Sequence, residues 1–534
     1  MYKNLVLLLS LNFSLLADSK KPNILFAFAD DWGRHASVYA ETDGPGTVND
    51  VFKTTNFDSI AKSGVLFNNA YVNAPSCTPC RSSILSGQHF WRTGRGAILQ
   101  GAVWDESIPT WPLLLEKNGY HIGYTWKVWS PGSPKDAPFG GSRNAYSSAG
   151  VSFNGFSQTA TKLISKGMNV EEAKEELLKQ VRENFISMLS KRKEGQPFAY
   201  WFGPTNVHRK WTKGSGMNLW GISADSLEGK LPPFLPDVHT VREDFSDYLG
   251  EVKGFDLALG VLIEELKKVG MYDNTIIAIS GDHGPAGFPY GKCNLYDFGT
   301  RVSLALSGPG IIGNRVVNDF VTLPDLASTF LELGDVEVPN VMTSKSLWPI
   351  LKSNKKGIVD ESRDHVLIGR ERHVARARRG QMPYPQRAIR TDKYLYIMNF
   401  KPDRYPLGDH YNLDTDKEAN VNQLTNNTFI TIPDEDAGPT KAWIVKNRKD
   451  PKYKKYFSRA YGKRPLEELY DLKKDPHQMN NVAKESGFER ARVELNKKLF
   501  SLLTETNDPR LLNDGSFFEN TPMSGPVGGV KIKK

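Results

Sequence analysis

The sequence predicts an α/β protein, with a doubly wound sheet in residues 18–365 and a smaller α+β subdomain holding an antiparallel sheet in 366–534. Three observations lead there. From residue 20 to about 365, short apolar runs alternate with helical patterns, as in successive βαβ units. Two of those runs end in adjacent polar donors, at the strand ends where α/β folds place ligands. Beyond 366 the pattern changes to strand, turn, strand. At 534 residues, two domains is the expectation from length alone.

Asn23–Ala29 (NILFAFA) is an uninterrupted apolar run of strand length, as in a parallel sheet covered on both faces. Val65–Val72, Tyr120–Lys127, Phe198–Phe202, Thr275–Ser280 and Ser303–Ser307 read the same way. Helices are predicted over Asn56–Lys62, Thr110–Lys117, Val170–Arg192, Arg242–Val269 and Pro324–Leu333. The third of these begins with acids and ends with bases, matching the helix dipole. In the tail, Arg387–Phe400 reads as two strand-like runs around a turn, 401–465 as long polar loops with one helix, and Gly487–Leu503 as a final helix.

Composition is that of an ordinary globular protein, 39% hydrophobic and 24% charged. The net charge of +9 suits anionic partners. Nucleic acid is the weaker choice, because no basic helix, zinc-ligand spacing or aromatic RNA-binding motif occurs. The densest basic stretch, Arg363–Lys393, has nine Lys/Arg against three acids; it reads either as the lining of an anionic-substrate cleft or as plain surface. Residues 1–17 read as an export signal. Lys3 supplies the positive start, Leu5–Leu16 an apolar run too short to span a bilayer, and Ala17 a cleavage position. The expectation is an exported protein, periplasmic or secreted, without a membrane anchor.

Three constellations bear chemistry. Asp30-Asp31 follows the first apolar run and offers two hard oxygen donors suited to Ca²⁺ or Mg²⁺, although such a pair often only caps a helix. Gly281-Asp282-His283-Gly284 follows another such run, so both pairs can converge on one ion. The third is Cys77-Thr78-Pro79-Cys80-Arg81. Read on its own, its Cys-x-x-Cys fits a redox pair at a helix start, or half a zinc site with no second half in the chain. With Cys293 the cysteines number three, so at least one thiol has no intramolecular partner.

The run Cys77-Thr78-Pro79-Cys80-Arg81-Ser82-Ser83-Ile84-Leu85-Ser86-Gly87 resembles the signature of the type I sulfatases, roughly C-x-P-S-R-x-x-L-L-T-G, with Cys80, Ile84 and Ser86 as departures. The likeness extends along the chain. Lys21–Gly33 resembles the family's opening strand and metal pair, and Gly281–Gly284 its second pair. Gly291-Lys292 and Tyr296–Val302 resemble its lysine and G-x-R-V segment, and Glu468–Leu472 with Asn480–Ala483 its C-terminal motif. Asn206-Val207-His208-Arg209, Gly291–Tyr296 and Tyr384-Pro385-Gln386-Arg387 are similar to patterns of the heparan N-sulfatase branch.

The resemblance implies an alkaline-phosphatase-like doubly wound mixed sheet and a sulfuric ester hydrolase acting on a sulfated carbohydrate, heparan-type, ulvan and carrageenan among the candidates. It implies that Cys77 is oxidised to formylglycine (3-oxoalanine) by a formylglycine-generating enzyme reading Cys77, Pro79 and Arg81. The implied metal set is Asp30, Asp31, modified Cys77, Asp282 and His283, around a divalent cation, Ca²⁺ before Mg²⁺. Arg81 and Lys127 would hold hydrate and sulfate, and His208 and Lys292 would protonate the leaving atom. Trp129, Arg301, His373 and Arg387 are the substrate-contact candidates. The family places Lys-x-His where this chain has Lys127-Val128-Trp129, and an indole cannot act as a base; Trp129 is instead expected to stack on a sugar. The rival readings are a phosphatase or phosphodiesterase of the same superfamily, a redox protein, and a non-catalytic sulfated-glycan-binding relative.

Overall fold

A computed structural model describes residues 21–416 and 418–522; the predicted export signal lies outside them. Its strands are β1 (Asn23–Ala29), β2 (Val65–Phe67), β3 (Ala70–Tyr71), β4 (His121–Trp126), β5 (Phe198–Gly203), β6 (Thr275–Gly281), β7 (Leu304–Ser307), β8 (Arg315–Val317), β9 (Val321–Thr322), β10 (His365–Arg370), β11 (Gln386–Thr391), β12 (Tyr394–Asn399) and β13 (Glu467–Asp471). Seven form one sheet in the order β4-β5-β1-β6-β7-β2-β8. Strands β4, β5, β1 and β6 are parallel, and β7 runs antiparallel to β6 and β2, so the sheet is mixed. A second, antiparallel sheet has the order β10-β11-β12-β13.

Every residue of β1 is buried. The period of two along a strand sends Leu25, Ala27 and Ala29 into one layer and Ile24, Phe26 and Phe28 into the other. The first layer is closed by the helices Val170–Lys191 and His239–Lys268, through Leu177, Phe185, Phe245, Leu249, Phe255 and Leu262. The second is closed by Cys77–Ser86, Trp111–Lys117 and Asp325–Leu333, through Leu85, Trp111 and Phe330. Asn169 starts the Val170 helix with a capping box, its side chain accepting from the Glu172 amide while Glu172 accepts from its own. The small sheet joins the large domain edge-on, the Gly369 amide donating to the Asn73 carbonyl and Asn73 Nδ2 to the Leu367 carbonyl.

Two expectations are corrected here. The run Val65–Val72 is two strands, β2 and β3, because Asn68 and Asn69 turn out to bond Asn318. The described residues of 401–465 hold three short α-helices, Val421–Asn426, Pro439–Lys446 and Lys454–Tyr461. Each is too short to show a helical period, yet Leu424, Ile444, Val445 and Tyr461 close a small core of their own with Cys293.

The cations of the Arg363–Lys393 stretch are mostly held in internal pairs, although Arg363 and Arg390 also line a cavity remote from the metal-donor cluster. Arg363 pairs with Asp325, Arg390 with Asp297, and Arg370 and Arg378 with Asp434. Arg387, expected to touch substrate, is fully buried between Asp508 and Glu371, with its Nη2 2.9 Å from each. Glu371 is shared with Arg510. Removing one partner of such a network strands buried charge. Arg387→Ala should therefore lower unfolding free energy by about 3–5 kcal/mol, read from a denaturant midpoint; an unchanged midpoint with a raised KM would restore the substrate role.

Candidate active site

Strands β1 and β6 lie side by side in register, Ala29 opposite Gly281, so the residues that follow each strand meet at one edge. Gly281 is required there, since a Cβ would run into the Trp32 carbonyl oxygen. The Asp282 amide donates to the Ala29 carbonyl, and the Asp31 amide to Asp282 Oδ1 at 2.8 Å. Asp31 takes a left-handed backbone (φ 58°), at a cost of about 1 kcal/mol for a residue with a Cβ. That conformation turns its carboxylate and that of Asp30 to the same pocket.

The Cys77–Ser86 helix points its first turn at these carboxylates. Pro79 falls in that first turn, where its missing N–H is no loss. Cys77 Sγ lies 3.5 Å from His283 Nε2. One turn on, Arg81 is completely buried, with Nε 2.9 Å from Asp282 and Nη2 3.0 Å from Asp30. Lys127, just past β4, contacts both Asp30 oxygens at 2.7 Å. Lys292 Nζ lies 3.2 Å from Asp31, 3.1 Å from His208 Nε2 and 3.4 Å from Asp436. Donor atoms of Asp31, Cys77 and His283, of Asp30, Cys77 and Asp282, and of Asp30, Asp31 and His208 each cluster within 4.8 Å.

The electrostatics follow from burial set against these pairings. Burial alone would raise the Asp30 carboxyl, but Lys127 and Arg81 outweigh it and hold it well below the usual range. Asp282 is pushed up by burial, against His283. Burial works to discharge Lys127 and Lys292, yet Asp30 keeps the first protonated, and Asp31 with Asp436 the second. The Cys77 thiol is pushed up to about 12 by burial, with Asp30 adding to the effect. It is therefore not a thiolate near neutrality, and all three cysteines are free, with no Cys77–Cys80 bridge.

Residues 22–336 match the family model described as Sulfatase. The chain belongs to the sulfatase family. As a sulfatase it is a sulfuric ester hydrolase. It is 25% identical to the human N-sulphoglucosamine sulphohydrolase over 528 residues, covering 92% of each chain. It is 22% identical to an ulvan-active sulfatase of Formosa agariphila, over 92% of this chain and 76% of that one. A protein solved with its substrate D-glucosamine-2-N,6-O-disulfate superposes with a TM-score of 0.58, at 18% identity, over 92% and 99% of the two chains. The phosphonate monoester hydrolase of Agrobacterium radiobacter shares the fold equally well, with a TM-score of 0.57 at 17% identity over 92% and 97% of the chains. Shape alone thus leaves the phosphorus-ester rival open, and the family match decides against it.

In this sulfatase the expected residues Asp30, Asp31, Cys77, Arg81, Lys127, His208, Asp282, His283 and Lys292 come together in one cluster. His373 lies beside it, its Nδ1 2.7 Å from the Ser76 hydroxyl. Trp129 does not face the cleft. It is fully buried, its Nε1 donates to the Pro134 carbonyl at 2.7 Å, and Trp104 stands edge-on to it at 5.1 Å. Its backbone carbonyl accepts from Thr78, so this tryptophan braces the Cys77 helix instead of stacking on a sugar. Arg301 also falls elsewhere. Its guanidinium is taken up by Asn68 and Asn69, and it lines a separate cavity of about 550 Å³ with Asp297 and Arg390. Asp436 had no place in the sequence reading; its only signal was the acidic run Asp434-Glu435-Asp436 inside a Lys-rich segment.

Burial lowers the His373 imidazole to about 3, so it should be neutral throughout the neutral range. Its ring NMR signals should not move between pH 5 and 8, whereas a midpoint near 6.5 would mean an open, hydrated ring.

Proposed function

We propose that this sulfatase removes sulfate from a sulfated carbohydrate, using a formylglycine made from Cys77 and a divalent cation held by Asp30, Asp31, Asp282 and His283. The observation behind this is the meeting of those four donors with Cys77 at the N-terminus of a ten-residue helix. Hard carboxylate oxygens with one imidazole suit Ca²⁺, or Mg²⁺. Charge supports the fit. Asp30, Asp31 and Asp282 are balanced by Arg81, Lys127 and Lys292, so an added divalent ion leaves the pocket positive, the sign an incoming sulfate needs. The carbohydrate class rests on the relatives named for N-sulphoglucosamine and ulvan.

A buried, protonated thiol is a poor nucleophile, which favours the modified residue. As its hydrate, formylglycine would supply the hydroxyl that attacks sulfur, and the cation would polarise the sulfate oxygens. Arg81, locked onto Asp30 and Asp282, would fix the position of residue 77 and add positive charge behind it. Lys127 would steady the sulfate oxygens. His208 has its Nδ1 2.6 Å from the Arg209 carbonyl and its Nε2 on Lys292. The carbonyl can only accept, so Nδ1 bears the proton and Nε2 accepts from Lys292. The Lys292–His208 pair would deliver a proton to the departing oxygen or nitrogen. Maturation would need a formylglycine-generating enzyme, and the chain would work after export, in the periplasm or outside the cell.

Peptide mass spectrometry should find residue 77 as formylglycine when the chain is co-expressed with its modifying enzyme. Cys77→Ala, and separately a chelator, should each cut kcat by roughly a thousandfold or more across a panel of defined sulfated oligosaccharides, while Cys80→Ala retains turnover. Full activity with an unmodified Cys77 would defeat the proposal. Lys292→Ala should lower kcat by roughly 10²–10⁴-fold, least for substrates whose leaving group needs no proton; an equal loss on all substrates would remove Lys292 from that role.

A further inference from the structure

We infer that Asp436 selects the sugar, its carboxylate accepting a hydrogen bond from the ring hydroxyl beside the sulfated position. The inference rests on the proposed sulfatase site and names the part of the substrate that the site's cations leave unread. Asp436 sits 3.4 Å from Lys292 Nζ, and Lys292 reaches Asp31 and His208 on its other side. One side chain therefore separates this carboxylate from the sulfate centre. Its Oδ2 is buried on the Lys292 side without a well-directed hydrogen bond, while the side chain keeps 21% exposure, which leaves the carboxylate an acceptor position toward a ligand. Burial opposes its charge, and the Lys292 ammonium outweighs burial and keeps the group ionised.

The position is built, although the backbone around it is irregular. Before it, Asp434 is clamped by Arg370 and Arg378 and accepts from the Val374 amide at 2.8 Å. After it, the Thr440 amide and hydroxyl donate to Asp244 Oδ2 at 3.1 and 2.6 Å. Asp244 is itself gripped by both Arg209 nitrogens, at 2.8 and 2.7 Å. Gly438 lies against that same guanidinium, where a Cβ would collide. Both ends of the loop are thus tied to neighbouring segments, and Asp436 is held beside Lys292.

A fixed carboxylate facing an anionic substrate is repulsive unless the substrate brings a donor to it. A neutral hydroxyl does so; a second sulfate in that place brings negative charge against a negative oxygen. The substrate class is accordingly a sugar with one sulfate flanked by a free hydroxyl, and vicinally disulfated sugars are rejected.

The test measures kcat/KM for the wild type, Asp436→Asn and Asp436→Ala, all modified at residue 77 and metal-loaded. Three sugars are used: the best monosulfated substrate of the panel, the analogue lacking the neighbouring hydroxyl, and the analogue sulfated there. For N-sulfated glucosamine the last two are the 3-deoxy and 3-O-sulfated forms. The wild type should lose roughly 10–100-fold on the deoxy sugar, as for one hydrogen bond to a charged group, and more on the disulfated one. Asp436→Ala should bring the three sugars within about threefold of one another, and Asp436→Asn should fall between, as a double-mutant cycle requires of a direct contact. A uniform loss on all three would mean that Asp436 only steadies Lys292, and would overturn the inference. An active wild type indifferent to that hydroxyl would overturn it alone, whereas a wild type inactive on every sulfated sugar would bring down the sulfatase reading as well.

Discussion

The bridge from Arg81 to Asp30 and Asp282 is the interaction on which the rest of the site depends. It joins three separate pieces of chain, the end of β1, the end of β6 and the first turns of the Cys77 helix, through one guanidinium with no access to water. Bringing such charges out of water costs several kcal/mol each, and only good geometry with full pairing offsets it. The pairing is complete. Arg81 also donates to the Val128 carbonyl, Lys127 takes the other face of Asp30, and Lys292 takes Asp31. The arrangement behaves as one unit, because the loss of any member leaves its neighbours charged and unpaired. The position of Cys77 is fixed with it, since Cys77 starts the helix that the arginine anchors.

Much of this was legible in the sequence, for physical reasons that differ from part to part. Strands β1, β5 and β6 are covered on both faces, so they must be apolar throughout, and NILFAFA and TIIAIS say so without help. The strand-end pairs were legible because their donors follow directly on such runs. Residues whose environment is made by distant chain were not. Trp129 and Arg387 have the side chains of carbohydrate contacts, and nothing local tells that Trp104 and Pro134 enclose the first or that Asp508 and Glu371 enclose the second. Asp436 was hidden for the opposite reason. It lies in a loop with no period at all, and its place is set by Arg370, Arg378 and Asp244 from two other segments.

Basic residues in this chain therefore divide by neighbour and not by density. The dense stretch 363–393 spends most of its guanidiniums inside the protein, on Asp434, Asp508 and Asp297, while Arg376 and Arg379 stay exposed. The cations paired with the clustered carboxylates at the β1–β6 edge are scattered, one from each of three separate segments, at 81, 127 and 292. A count of charges along the sequence cannot separate these uses, since both put an arginine or lysine beside a carboxylate. What differs is whether the carboxylate also has oxygen to offer a ligand.

The concealment of Cys77, Pro79 and Arg81 has a consequence for biogenesis. In the folded chain Cys77 is 3% exposed and Arg81 not at all. An enzyme that must read those three side chains together would find nothing to read on the finished protein. Any conversion of Cys77 thus belongs to the interval between synthesis and closure of the β1–β6 edge over this helix. Under the proposed conversion, a chain that folded first would be well formed yet unmodified, so the yield of converted protein would be set by a race during maturation and not by stability afterwards.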